Sequence, residues 1–179
     1  MKLIKKKSPA EYIIYSAVIL LGILADQVTK YLAVAFLRPI GTQPVIGDAV
    51  HLTYVENRGA AFGMLADKRE IFIVISTVAI IAIALYLYLG HADSRLAAVS
   101  LSMIVSGGIG NMIDRLALGY VVDFINFKFI KYPTLAGSEW VWQSFQVFNG
   151  ADSFVTVGAV LLVIAVLRDT GRELKKDKK

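Results

Sequence analysis

The sequence predicts an all-α membrane protein: a four-transmembrane-helix bundle with both termini inside, a small extracytoplasmic β element and a short surface helix. Three observations carry this. Hydrophobic residues make up 56% of the 179 positions and mean hydropathy is +0.62, too apolar for a soluble domain of this length. The excess gathers in four apolar stretches, and a bilayer core demands about 20 apolar residues per helix. The basic residues gather at the two ends, Lys5, Lys6 and Lys7 against Arg172, Lys175, Lys176, Lys178 and Lys179. Basic flanks on hydrophobic helices mark the inner face, so the net charge of +5 calls for no nucleic-acid partner.

The first helix covers 11–36. A basic start, an apolar run over 12–25 and "AVA" at 33–35 resemble a cleavable signal peptide, but Asp26, Gln27, Thr29 and Lys30 hold the run too far from the small residues. The helix is therefore expected to be retained. The second, 70–89, is interrupted only by Ser76 and Thr77. The short link "GHADSR" makes it an antiparallel neighbour of the third, 95–118. The fourth, 148–168, must start near Phe148, since 154–167 alone falls short of a span. These helices form one membrane domain over 1–179, with outer segments 38–69 and 119–147. "HLTYV" within the first outer segment, bounded by Pro and Gly, predicts a strand or hairpin. "VVDFINFKF" has strand-like spacing from Asp123 to Phe129, and Trp140 and Trp142 suit an interfacial anchor on the short surface helix.

Composition limits the chemistry. There is no cysteine, which excludes disulfides, a thiol nucleophile and thiolate metal sites. It also means that the chain cannot itself carry a lipid on cysteine. His51 and His91 are the only histidines and fall in different connecting segments. No metal and no cofactor is expected.

Charged groups cost about 2.5–3.5 kcal/mol each inside a membrane helix, so their placement is informative. At 1.5 Å per residue, Asn111 stands ~24 Å above Arg95, Asp152 ~24 Å above Arg168 and Asp26 ~22 Å above Glu11. Three helices thus put polar groups at one level, below the outer surface of a core about 30 Å thick. Asp26 and Lys30 have the i, i+4 spacing of an intrahelical ion pair, a structural role. Asp114 and Arg115 fit interfacial charges reaching head groups as readily as members of a site. Gly107, Gly108 and Gly110, with Ser106, suit close helix packing.

Asp123 and Asp152 are harder to assign to structure. Neither has a basic neighbour close in sequence, Lys128 and Arg168 being the nearest following ones. Desolvation disfavours their ionised forms. Brought together they would share one proton, so that one could activate water while the other protonates a carbonyl oxygen or a leaving amine. Spacing alone does not bring them together.

Four blocks in order and spacing resemble the lipoprotein signal peptidases, the type II signal peptidases of bacteria: "DQVTK" at 26–30, "NRGAAFG" at 57–63, "GNMIDRLALGYVVDF" at 110–124 and "FNGADS" at 148–153. The resemblance implies an intramembrane aspartyl endopeptidase of the bacterial cytoplasmic membrane, multi-pass, with its active site near the outer leaflet. It implies cleavage of prolipoproteins just before a diacylglyceryl-modified cysteine, with membrane lipids as the other partners and a monomer as the working unit. It makes Asp123 and Asp152 the catalytic dyad, with Asn111 and Asn149 in support and Arg115 and Asp114 holding the surrounding structure and the substrate backbone. Asn57 and Gly59 fall in the surface β element folded over the substrate groove, and Asp26 and Lys30 match stabilising positions. Gly150 departs from the family, which usually has a larger apolar residue there; that would loosen the start of the fourth helix.

Two other classes fit parts of the pattern. A proton-coupled transporter would use membrane carboxylates, but its site is expected near the midplane with broken helices. A serine–lysine protease would use Lys30 with Ser106 or Ser153, leaving Asp123 and Asp152 without a role. A structural scaffold would not need four charge-bearing motifs in one layer.

Overall fold

The computed structural model describes residues 7–59, 69–133 and 140–176. Its elements run α1 (Pro9–Leu32), a π-helical turn (Ala33–Leu37), β1 (Thr42–Ile46), β2 (Val50–Asn57), α2 (Arg69–Tyr88), α3 (Arg95–Ala117), β3 (Val121–Pro133), β4 (Trp140–Ser144) and α4 (Gly150–Lys176). Among the described residues, Pro9–Leu37, Arg95–Ala117 and Gly150–Lys175 are long and apolar enough to cross a membrane, and α2 adds a shorter apolar helix, Ile73–Tyr88.

Local signals start the helices. Ser8 caps α1 in a reciprocal box with Glu11, and Pro9 occupies a position where a missing N–H costs nothing. Ser94 caps α3 by accepting from the Ala97 amide. At α4 the Asn149 side chain accepts from the Asp152 amide at 2.9 Å, and the Asp152 carboxylate accepts from the Asn149 amide at 3.3 Å. "NGAD" is thus a capping box whose acidic member is Asp152, and the positive end of the helix faces that carboxylate. The Ala151 amide donates to Asp26 at 2.8 Å, so α1 anchors the start of α4 despite Gly150.

The centre of the bundle is α3, which packs on the other three helices. Its glycines face different neighbours. A Cβ at Gly107 would collide with the Ala151 carbonyl of α4, one at Gly108 with Ile80 of α2, and one at Gly110 with the Asp26 carboxylate of α1. Small residues let the helix axes approach this closely. Tyr15, Ile19, Leu87, Ala98, Leu101 and Val105 form the core at one end of the bundle. The outward faces of α1, α2 and α4 are apolar and exposed, Leu20 at 65% and Val163 at 59%, as expected of surfaces that meet lipid.

At the other end lies a four-stranded antiparallel sheet in the order β1-β2-β3-β4. Val122 and Phe124 of β3 pack with Ala33 and Leu37 at the end of α1. Because side chains alternate across a strand, Asp123 between them is presented to the opposite face, toward α3 and α4. The short surface helix expected around Trp140 and Trp142 is replaced by a strand: the backbone of Trp140–Ser144 pairs with Lys128–Pro133. Aromatic and β-branched residues alternating in "WVWQ" favour a pleated ladder, and β3 supplies a free edge for it. Residues 60–68, which include 60–63 of the "NRGAAFG" block, lie outside the described residues.

Candidate active site

Asp123 and Asp152 converge between the sheet and the helix bundle. Asn149 touches both: its side-chain nitrogen donates to Asp123 Oδ1 at 2.7 Å, while its side-chain oxygen and backbone amide engage Asp152 through the capping box. The same side-chain nitrogen is also within reach of Asn111 Oδ1 at 3.0 Å and the Val122 carbonyl at 3.2 Å. Asn111 in turn donates to Asp152 Oδ1 at 2.8 Å. On the sheet side Asn57 donates to Asp123 Oδ2 at 2.9 Å. The register explains that reach, since Val55 pairs with Asp123 and Asn57 lies two residues along the same strand face. The Gly59 amide closes onto Asn57 Oδ1 at 3.1 Å and holds the amide in that orientation.

Behind the two acids is a buried ionic network. Lys30 pairs with Asp26 at 2.9 Å and with Asp114 at 3.0 Å, and donates to Asn111 Oδ1 at 2.9 Å. Three acceptors match the three N–H donors of the ammonium. Gln27, absent from the sequence-based set, donates toward Asp26, the Gly110 carbonyl and Asp114 Oδ1. Its signal was present in "DQVTK", one residue from Asp26, but an amide beside an ion pair has no spacing rule of its own.

Adjacent residues of α3 diverge. Asp114 turns inward and is 3% exposed, whereas Arg115 lines a cavity of about 530 Å³ together with Asp152, Asn57, Gly59, Phe145 and Phe148. Asp123, 1% exposed, sits behind Asn57 and Asn149. Burial pushes its carboxyl up from 3.8 to about 7, and the nearby Asp152 charge acts in the same direction; the Asn57 and Asn149 amides and the Lys30 charge oppose the shift without cancelling it. An acid titrating near 7 can hold a proton at neutral pH and release it at modest cost.

Among the described residues Lys30 bonds no serine hydroxyl. Ser106 donates to the Ile19 carbonyl and Ser153 to the Asn149 carbonyl, so a serine–lysine pair is not assembled. Among the described residues no group of three or more His, Asp or Glu side chains could hold a metal ion.

A family model described as signal peptidase (SPase) II matches residues 18–168, most of the chain and every residue of this cluster. The chain belongs to the signal peptidase II family. It is therefore a peptidase, a hydrolase of peptide bonds. It is 51% identical over 140 residues to the lipoprotein signal peptidase of Caldanaerobacter subterraneus subsp. tengcongensis, covering 78% of this chain and 86% of that one. It is 41% identical over 160 residues to the lipoprotein signal peptidase of Clostridium tetani, covering 89% and 96%. A solved structure described as a bacterial membrane enzyme superposes with a TM-score of 0.72 at 32% identity, over 89% of this chain and 90% of its own.

Proposed function

We propose that this signal peptidase II cleaves prolipoproteins immediately before the diacylglyceryl-modified cysteine, with Asp123 and Asp152 as an aspartyl dyad. The observation that carries the proposal is that one residue, Asn149, bonds both acids, its side-chain nitrogen donating to the Asp123 carboxylate and its backbone amide to that of Asp152, while burial pushes the Asp123 carboxyl up to about 7. The dyad shares one proton, held on Asp123. The Asp152 carboxylate takes a proton from water as its oxygen attacks the scissile carbonyl, and the Asp123 proton goes to the carbonyl oxygen. Asp152 then gives its proton to the leaving amine nitrogen as the C–N bond breaks, and Asp123 takes back a hydroxyl proton from the collapsing tetrahedral diol, which restores the singly protonated pair.

The other residues divide the supporting work. Asn111 and Asn149 hold the carboxylates, and Asn57 with Gly59 closes the sheet side. Arg115, which lines the cavity, holds the substrate backbone, while Asp114, Asp26 and Lys30 hold the scaffold behind the dyad. The apolar cavity wall at Phe145, Phe148 and Val157 receives acyl chain or signal-peptide surface. The protein spans the bacterial cytoplasmic membrane four times with both ends inside, and the dyad lies near the outer leaflet. It works as a monomer among membrane lipids, without nucleic acid, metal or cofactor.

The test compares one prolipoprotein with and without the diacylglyceryl group, using purified protein in lipid and excess chelator. Cleavage of the diacylated form alone, at the bond before cysteine and undiminished by chelator, is expected. Equal cleavage of the unmodified form would remove the substrate assignment.

A further inference from the structure

Lys30 reaches both acids through a symmetrical pair of carboxylates. Of its two ion-pair partners, Asp26 accepts the amide of Ala151, the residue just before Asp152, at 2.8 Å. Asp114 accepts the amide of Val122, the residue just before Asp123, at 3.0 Å. The third Lys30 contact fixes the Asn111 amide. Its oxygen faces the ammonium and Asn149, so its nitrogen must face Asp152.

We propose that Lys30 is a positioning residue of the dyad, setting the placement of both aspartates and the orientation of the Asn111 amide between them. This goes beyond stabilising the helix bundle, and it rests on the dyad reading above. Without the ammonium, Asn111 loses the cation that selects its rotamer and keeps only the neutral Asn149 donor, so the flipped amide, with its oxygen toward Asp152, gains population. An amide oxygen against a carboxylate oxygen would push the base out of place, and a displacement of about 1 Å can cost 10²-fold in rate.

Lys30 also acts on Asp123 through its charge, favouring the ionised form. Charged groups face Asp123 from three elements: Lys30 of α1, Arg115 and Asp114 of α3, and Asp152 of α4. From the neighbouring strand β2 comes the neutral Asn57 amide, while Glu56 pairs with Arg38 and Arg58. Removing the Lys30 charge therefore moves the alkaline limb of the pH–rate profile to higher pH.

Losing Lys30 alone would leave two buried carboxylates without their cation, so the test keeps the charge of the Asp26–Lys30–Asp114 group constant. Asp26→Asn/Lys30→Met removes the donor that position 30 supplies to Asn111, leaving only Asn149, and Asp26→Asn/Lys30→Gln retains one there. The expected result is a fall in kcat on the order of 10²-fold for the Met form with KM little changed. The Gln form recovers to within about tenfold of wild type. Equal kcat losses in the two forms, tracking only the folded fraction, would overturn the proposal. Asp123→Asn and Asp152→Asn run alongside: cleavage retained in either sinks the dyad reading itself, separately from the outcome at Lys30.

Discussion

Asp152→Asn lowers turnover of a diacylated prolipoprotein by at least ~10³-fold, and Asp123→Asn does the same. An amide at 152 cannot take a proton from water, and an amide at 123 has none to give. Because the two act as a unit, the double variant is hardly worse than either single one. Loss of fold does not explain the effect. With a native carboxyl near 7 and an ordinary value of 3.8, the folded protein binds the extra proton between those values, so Asp123 lowers stability as pH rises through that window. Asp123→Asn removes that penalty, and above pH ~7 its melting midpoint lies no lower than that of wild type. Turnover and melting midpoint on the same preparations check both parts.

Lys30→Met destabilises the fold by about 3–5 kcal/mol, the cost of leaving buried charges uncompensated. The ammonium is 3% exposed and Asp26 is 1% exposed, so water cannot take over for the lost cation. Asp114, its other partner, is buried as well. Adding Asp26→Asn restores the charge balance and returns much of the loss. Exposed pairs behave differently. Arg58 with Glu56 has the arginine side chain 65% exposed, and breaking a pair of that kind costs under about 1 kcal/mol. Melting midpoints of Lys30→Met and Arg58→Ala in the same lipid separate the two cases.

Much of this was legible before any coordinates, for identifiable reasons. Hydrophobic length marks a helix without reference to its partners, so the apolar stretches stood out. Polar groups in apolar surroundings are costly, which singled out Asp26, Asn111 and Asp152 as a level. Asp123 entered through its strand-like neighbours and the family resemblance. The Trp140 segment was misassigned because aromatic residues serve an interfacial helix and a strand equally, and only pairing with β3 decides between them. The bridging by Asn149 was out of reach for another reason. It depends on a helix start, a strand and a central helix meeting at one amide, and no local spacing encodes that meeting. "NGAD" did hold the capping-box signature, the one sequence cue that ties Asn149 to Asp152.

The central claim is that two carboxyls share one proton beside the scissile bond, and the pH dependence of kcat/KM measures this most directly. The account predicts a bell whose alkaline limb falls near pH 7, the limb belonging to the pair with the proton resident on Asp123. A rate that stays level from about pH 5 to about pH 9 would contradict it, since no group holding or losing a proton in that range would then take part.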